Sequence, residues 1–155
     1  MKIRKAEEKD IKTLARVFLK VYTNFNVGER WSEQSSNNLK NYWFKRQSDL
    51  FFVAEKNNKI IGAFVAGVKP WWDGNHLADG ELFVDPDYQK QKVGTRLSIK
   101  MYETAIKKYN IKYVDKVTFR DFEFPLKWHK SLGFEEVKEW MIISGEVNKV
   151  LKNLK

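Results

Sequence analysis

Three observations predict an α/β (α+β) fold with a mixed, mostly antiparallel central sheet flanked by helices. First, segments of two-residue and 3.6-residue apolar periodicity alternate in the order β-α-α-β-β-β-α-β-α-β, with one more helix at the end. Second, the Asn57-Asn58 pair joins two β-rich runs as a tight antiparallel hairpin, while later strands are separated by helices that permit parallel connections. Third, 155 residues with 43% apolar and 15% aromatic content supply a single core. A chain of that length buries roughly 68–70% of its unfolded surface.

Residues 1–5 read as a first strand with Ile3 inward. Residues 6–10 introduce a helix whose Ile11, Leu14, Ala15, Phe18, Leu19 and Tyr22 recur at three- and four-residue intervals. Residues 24–30 break that pattern. Ser32 or Ser35 then caps a second helix that reaches Gln47, with Leu39, Tyr42, Trp43 and Phe44 as its inner face.

Residues 50–55 and 59–68 are two antiparallel strands, because β-branched and aromatic residues dominate both. Residues 69–79, KPWWDGNHLAD, read as a loop with Pro70, Gly74 and two adjacent tryptophans. Trp71 and Trp72 with Asp73, Asn75 and Asp79 suit a cationic amine by cation–π contact and charge pairing, or form a packing lid.

Residues 80–85 read as a short strand ended by Pro86. A helix follows with Val93, Leu97, Met101 and Ala105 at four-residue spacing. Further on come a strand over 112–119, a helix over 124–132 with Pro125 in its first turn and Gly133 at its end, and a strand over 134–144. The last ten residues place Val147, Val150, Leu151 and Leu154 on one helical face, suited to docking on the domain or on a second subunit as a homodimer contact.

Composition excludes several chemistries. There is no cysteine, which removes disulfides, thiolate metal sites and a cysteine nucleophile, and His76 and His129 alone cannot form a three-histidine zinc site, so no metal is expected. The first twelve residues lack a signal-type apolar core, and the longest apolar run, 60–68, is too short for a membrane span. A cytoplasmic protein without membrane attachment is expected. The net charge of +9 favours anionic partners, such as nucleic acid, a membrane face or a phosphate-rich cofactor, or is simply a solvated lysine coat.

The loop over 87–92 presents the N–H groups of Val93, Gly94 and Thr95 at a helix start, where they lack intrahelical partners and the helix dipole favours an anion. Lys90, Lys92 and Arg96 add positive charge, and Gly94 admits close approach of a ligand. Neither GxGxxG nor GxxxxGK[ST] is present.

The run Gln89-Lys90-Gln91-Lys92-Val93-Gly94, after a strand ending in V-x-P-x-Y, resembles the Q/R-x-x-G-x-G/A signature of the GNAT superfamily of N-acetyltransferases. Lys92 departs from it, standing where the first glycine is expected. The opening IRKAEEKDIKTL and the order of elements extend the resemblance to about Gly145, making residues 1–145 a GNAT domain and 146–155 an added helix. WHKSLGF, where Gly133-Phe134 matches the family's second motif, is similar to the aminoglycoside 6′-N-acetyltransferase branch through H-x-x-L-G-F-E-E.

The resemblance implies a splayed pair of strands holding acetyl-CoA as acetyl donor. The loop from Gln89 through Lys90, Gln91, Lys92, Val93 and Gly94 to Thr95 would hold its pyrophosphate. The main chain of Leu82, Phe83 and Val84 would pair with pantetheine, with one N–H near Phe83 or Val84 as oxyanion donor. Glu81, beside Asp79, is the candidate base. His129 stands where the family's proton-donating tyrosine is found, and Phe122 replaces an asparagine often present seven residues before that tyrosine. Trp31 and Glu29, in the segment between the first two helices, border the implied acceptor site, although a tryptophan there also serves as a core cap.

The function implied is transfer of acetyl from acetyl-CoA to a primary amine of a small molecule by direct attack. The alternatives are a peptide or protein amine as acceptor, and a weakly catalytic module that binds acyl-CoA or nucleic acid. Nucleic acid is not the expected partner.

Overall fold

A computed structural model of the protein describes residues 1–23, 28–120 and 123–154, apart from the side chains of Asp79 and Glu123. The chain divides into two compact units, Met1–Val117 and Thr118–Lys155.

The first unit is built on a five-stranded sheet in the order β1-β2-β3-β4-β5. Its strands are β1 (Lys2–Lys5), β2 (Phe51–Lys56), β3 (Lys59–Trp71), β4 (Gly74–Val84) and β5 (Ile111–Val114). All neighbours are antiparallel except β4 and β5, which run parallel because helix α3 (Val93–Tyr109) crosses between them. Asn57 and Asn58 both adopt positive φ, 51° and 59°, as the two-residue β2–β3 turn requires.

Helices α1 (Ile11–Tyr22) and α2 (Glu33–Gln47) cover one face of the sheet, burying Leu14, Phe18 and Trp43 against Val53, Val65 and Phe83. Helix α3 covers the other face with Val93, Leu97, Met101 and Ala105, the four-residue series expected of it. Ser32 caps α2, accepting from the Ser35 N–H while the Ser35 hydroxyl receives the Ser32 N–H in return.

The segment expected as a loop over 69–79 is mostly strand. β3 runs on to Trp71 and β4 begins at Gly74, with Pro70 paired to Asn75, so only a tight turn separates two long strands. Proline is tolerated there because the position lies at the strand's end, beyond the central ladder.

In the second unit, α4 (Glu123–Ser131) is regular only from Pro125, since Phe124 is extended, and Gly133 at φ 90° ends it as a left-handed C-terminal residue. Glu146 caps α5 (Val147–Asn153) through the N–H groups of Asn148 and Lys149. The strand expected over 134–144 does not form, and the strand expected over 112–119 shortens to β5. Apolar residues such as Trp140, Ile142 and Ile143 raise β propensity, but no described strand pairs with them, and a turn in which the Trp140 N–H bonds to the Val137 carbonyl interrupts the run.

Candidate functional site

The loop between β4 and α3 is held in a strained, pre-formed shape. Lys90 and Lys92 are both left-handed, with φ 59° and 60°. Each costs roughly 1–2 kcal/mol for a residue with a side chain. Surrounding bonds compensate. The Gln89 side chain donates to the Val84 carbonyl at 3.1 Å and that of Gln91 to the Asp87 carbonyl at 3.2 Å. Lys20 on α1 reaches buried Asp85 at 2.6 Å and Asp87 at 2.7 Å. Burial alone would raise the Asp85 carboxyl, but the Lys20 ammonium and the Asp87 N–H hold it below its ordinary value.

This strain orients the start of α3. The Arg96 N–H is the first to close on the Lys92 carbonyl, at 3.0 Å, and no side chain caps the helix. The N–H groups of Val93, Gly94 and Thr95 therefore point out of the helix end without an acceptor among the described residues. Gly94 has an ordinary φ, and a Cβ placed there would meet only a Val84 methyl at 3.9 Å. The fold does not demand glycine here; its absent side chain keeps the helix mouth clear. Lys90, Lys92 and Arg96 are exposed beside it. Lys56 and Lys59 of the β2–β3 hairpin lie over the Tyr88 ring at 5.6 and 5.3 Å, extending the positive rim from a direction not apparent in sequence.

Next to the loop, β4 has a free edge. It pairs with β5 only from Asn75 to Leu77, so from Ala78 onward the two strands part. A bulge sets this divergence: β4 advances three residues from Ala78 to Glu81 while β3 moves two, from Gly67 to Val65. Gly80 makes it possible, since a Cβ there would lie 2.3 Å from the Val65 carbonyl oxygen.

Beyond the bulge the Asp85 N–H bonds to the Ile61 carbonyl at 2.9 Å. Antiparallel alternation then directs the main-chain groups of Phe83 and Glu81 to β3, and those of Leu82 and Val84 to the open edge. Where the two strands part lies a narrow cleft of only about 10 Å³, whose lining includes Leu77, Gly80, Val114 and Lys116. The Lys116 ammonium sits 4.6 Å from the centre of the Phe64 ring, and burial lowers it to about 8.

On the opposite face, Glu81 is half-buried among groups from three elements. Tyr22 of α1 donates to its carboxylate at 3.3 Å, and burial raises the Glu81 carboxyl above its ordinary value against the opposing charge of Lys40. Tyr22 stacks on Phe18 at 4.2 Å and meets Trp31 edge-on at 6.3 Å, while the Trp31 indole N–H donates to Glu29 at 2.7 Å. Glu81, Trp31 and Glu29, each singled out in the sequence, are thus brought together, and Tyr22 and Lys40 join them. Burial lowers the Lys40 ammonium to about 7.

Trp71, Trp72 and Asp73 do not converge with Glu81. They form the far tip of the β3–β4 hairpin, six residues along β3 from Val65, the partner of Glu81. At the rise of a strand that is roughly 20 Å. Asp73 instead bonds His76 Nε2 at 2.8 Å, while His76 Nδ1 meets Asp115 at 2.8 Å. In the second unit, His129 lies between the rings of Trp128 and Phe134, at 5.0 and 5.4 Å. Phe122 and the Asp79 side chain lie outside the described residues. No group of three or more metal-ligating side chains, and no helix long and apolar enough to cross a membrane, occurs among the described residues.

The model of the acetyltransferase (GNAT) family matches residues 11–134, a span that contains both the strained loop and the Glu81 cluster. The chain belongs to that family. An uncharacterised N-acetyltransferase of Methanocaldococcus jannaschii is 31% identical over 146 residues, covering 90% of this chain. The match spans 64% of that relative's own length.

Two solved structures of low identity share the GNAT fold. One, described as a possible acetyltransferase of Clostridium difficile 630, has a TM-score of 0.77 at 15% identity and covers 94% of this chain and 96% of its own. The other, AAC(6′)-Iy in complex with the bisubstrate analogue CoA-S-monomethyl-acetylneamine, has a TM-score of 0.69 at 16% identity, covering 94% and 97%.

GNAT proteins take acetyl-CoA as acetyl donor, and the residues of this GNAT chain fit it. A diphosphate suits three outward N–H groups with a clear glycine and a basic rim. An amide-bearing arm suits the unpaired main-chain groups of the β4 edge.

Proposed function

We propose that this chain transfers the acetyl group of acetyl-CoA to a primary amine of a small molecule, by direct attack with both reactants bound. The observation that carries this reading is Glu81: a half-buried carboxyl of raised pKa, hydrogen-bonded by Tyr22, whose ring meets Trp31 edge-on, on the strand whose Leu82 main-chain groups and Val84 N–H face an edge without a partner strand.

The loop from Gln89 to Thr95 binds pyrophosphate through the N–H groups of Val93, Gly94 and Thr95, with Lys90, Lys92 and Arg96 as counter-charges. Leu82 holds pantetheine by its main chain, Phe83 backing it from the core, while the Val84 carbonyl is taken by Gln89. The bound donor supplies the acetyl group as a reactive thioester. Val84 N–H, directed to the open edge, is assigned the developing oxyanion, a role worth roughly 3 kcal/mol. Phe83 N–H faces β3 and is not.

The acceptor arrives as an ammonium. Glu81 takes one proton from it, directly or through water, and the freed amine lone pair forms the C–N bond as the C–S bond breaks. The nitrogen, cationic after attack, gives up its second proton to solvent, and the thiolate takes a proton for which His129 is assigned as donor from its place four residues before Gly133. Trp31 and Glu29 form the acceptor wall, where an aromatic face and a carboxylate attract a cation.

Glu81→Gln tests the reading. Loss of a general base lowers kcat by roughly 10²–10⁴, with acetyl-CoA affinity unchanged. A Glu81→Gln variant as active as wild type would remove Glu81 from the mechanism.

A further inference from the structure

Helix α2 buries a face no apolar pattern would choose: Ser36, Lys40 and Trp43, at i, i+4 and i+7. Each carries a buried polar atom without a hydrogen-bond partner among the described residues. Lys40 is the extreme case, fully buried, with its ammonium 3.5 Å from the centre of the Phe18 ring and 4.9 Å from that of Phe83. Desolvating an ammonium without a hydrogen-bonded counter-ion is costly, and an apolar side chain of similar volume is often neutral or stabilising at such a site. A lysine kept here needs a reason beyond packing.

The charges around it supply one. Helix α1 contributes Phe18 and Tyr22, and β4 contributes Phe83 and Glu81, two residues apart on one face of the strand. Trp43, one turn along α2, and Arg46 approach Gly67 of β3. Among the described residues, Glu81 is the one ionisable group that acts on Lys40, and Lys40 in turn acts on Glu81 together with Tyr22 and Glu29. The two aromatic faces favour the charged amine where no acceptor reaches it.

We propose that Lys40 is a positioning residue for acetyl transfer: its buried ammonium, held on the faces of Phe18 and Phe83, keeps the Glu81 carboxylate ionised and ready to receive the acceptor's proton. This rests on the reading of Glu81 as base. With Lys40 charged, Glu81 stays ionised to lower pH; without that charge, burial is unopposed and Glu81 holds its proton to higher pH. The two groups titrate as a coupled pair, and the enzyme's acid limit belongs to both.

The test is the pH dependence of kcat/KM with a turned-over amine, for wild type, Lys40→Met, Lys40→Arg and Glu81→Gln. Lys40→Met should move the acidic limb upward by about one pH unit, with the alkaline plateau and the KM for acetyl-CoA retained. Lys40→Arg, which keeps the charge, should restore the limb towards its wild-type position.

A Lys40→Met limb at the wild-type position, with Glu81→Gln strongly impaired, would overturn the role of Lys40 and leave Glu81 as base. Full activity in Glu81→Gln with an unshifted profile would overturn both. Should the Lys40 variants not fold, the ¹³C carboxyl resonance of Glu81 in wild type decides. A two-step titration whose second step follows the Lys40 ε-methylene supports the coupling, and a single step independent of Lys40 contradicts it.

Discussion

The Tyr22 hydroxyl donates to the Glu81 carboxylate at 3.3 Å, joining the end of α1 to the strand on which acetyl transfer is proposed. A hydrogen bond to the charged form favours that form. Tyr22→Phe should therefore raise the Glu81 pKa and move the acidic limb of kcat/KM upward by about one unit or less, leaving acetyl-CoA affinity unchanged. A pH profile of the variant checks it; an unmoved limb would show that the hydroxyl serves packing alone.

Gly94→Trp should abolish binding of acetyl-CoA and leave the fold intact, because the protein's own atoms leave the space over Gly94 open. Calorimetric titration reads the affinity and circular dichroism the fold. Unchanged affinity would place the phosphate site elsewhere.

Lys92→Gly relieves a left-handed lysine and restores the glycine usual in the family. Strain relief of roughly 1–2 kcal/mol is offset by about 0.4–1 kcal/mol of added unfolded-chain entropy. A net gain of about 0.5–1 kcal/mol raises the unfolding midpoint by roughly 1–4 °C. Affinity for coenzyme A should fall several-fold with the lost charge. A lowered midpoint would mean that the Lys92 side chain stabilises the loop by more than its backbone costs.

His76 presents both ring nitrogens to carboxylates, Asp73 and Asp115, each 2.8 Å away. Two acceptors call for two N–H donors, which only the imidazolium has. Burial opposes the charge, but the two carboxylates outweigh it and raise the His76 pKa above 6.5. The stabilisation is complete below the unfolded value of 6.5 and is lost as pH rises through the folded value. The unfolding midpoint of wild type should fall over that range, and His76→Gln should flatten the fall. Asp85 acts at the other end, since its lowered pKa stabilises above 3.8 and is lost only in stronger acid.

Local signals were legible in the sequence. The four-residue series of α3, the Asn57-Asn58 turn, the Ser32 cap and the Gln89–Gly94 loop all depend on residues close together in the chain. The long β3–β4 hairpin was hidden because Pro70, Asp73 and Gly74 resemble loop residues until the register pairs Pro70 with Asn75. Lys40 was hidden for a deeper reason. A lysine between Leu39 and Tyr42 counts as solvent-facing in any periodicity argument, and only the packing of α1, α2 and β4 reveals that it points inward. Tyr22 has the spacing of a core residue and is also a donor to Glu81, fifty-nine residues away.

The most direct test of the account is product analysis by mass spectrometry, with acetyl-CoA offered alongside a panel of free polyamines, amino acids and aminoglycosides, and separately alongside peptides. An N-acetylated small amine and an equal amount of free coenzyme A are expected, absent with peptides and suppressed in Glu81→Gln. Acetylated peptide with no small-molecule product would contradict the acceptor class. Tight acetyl-CoA binding with no product from any amine would contradict the transfer itself.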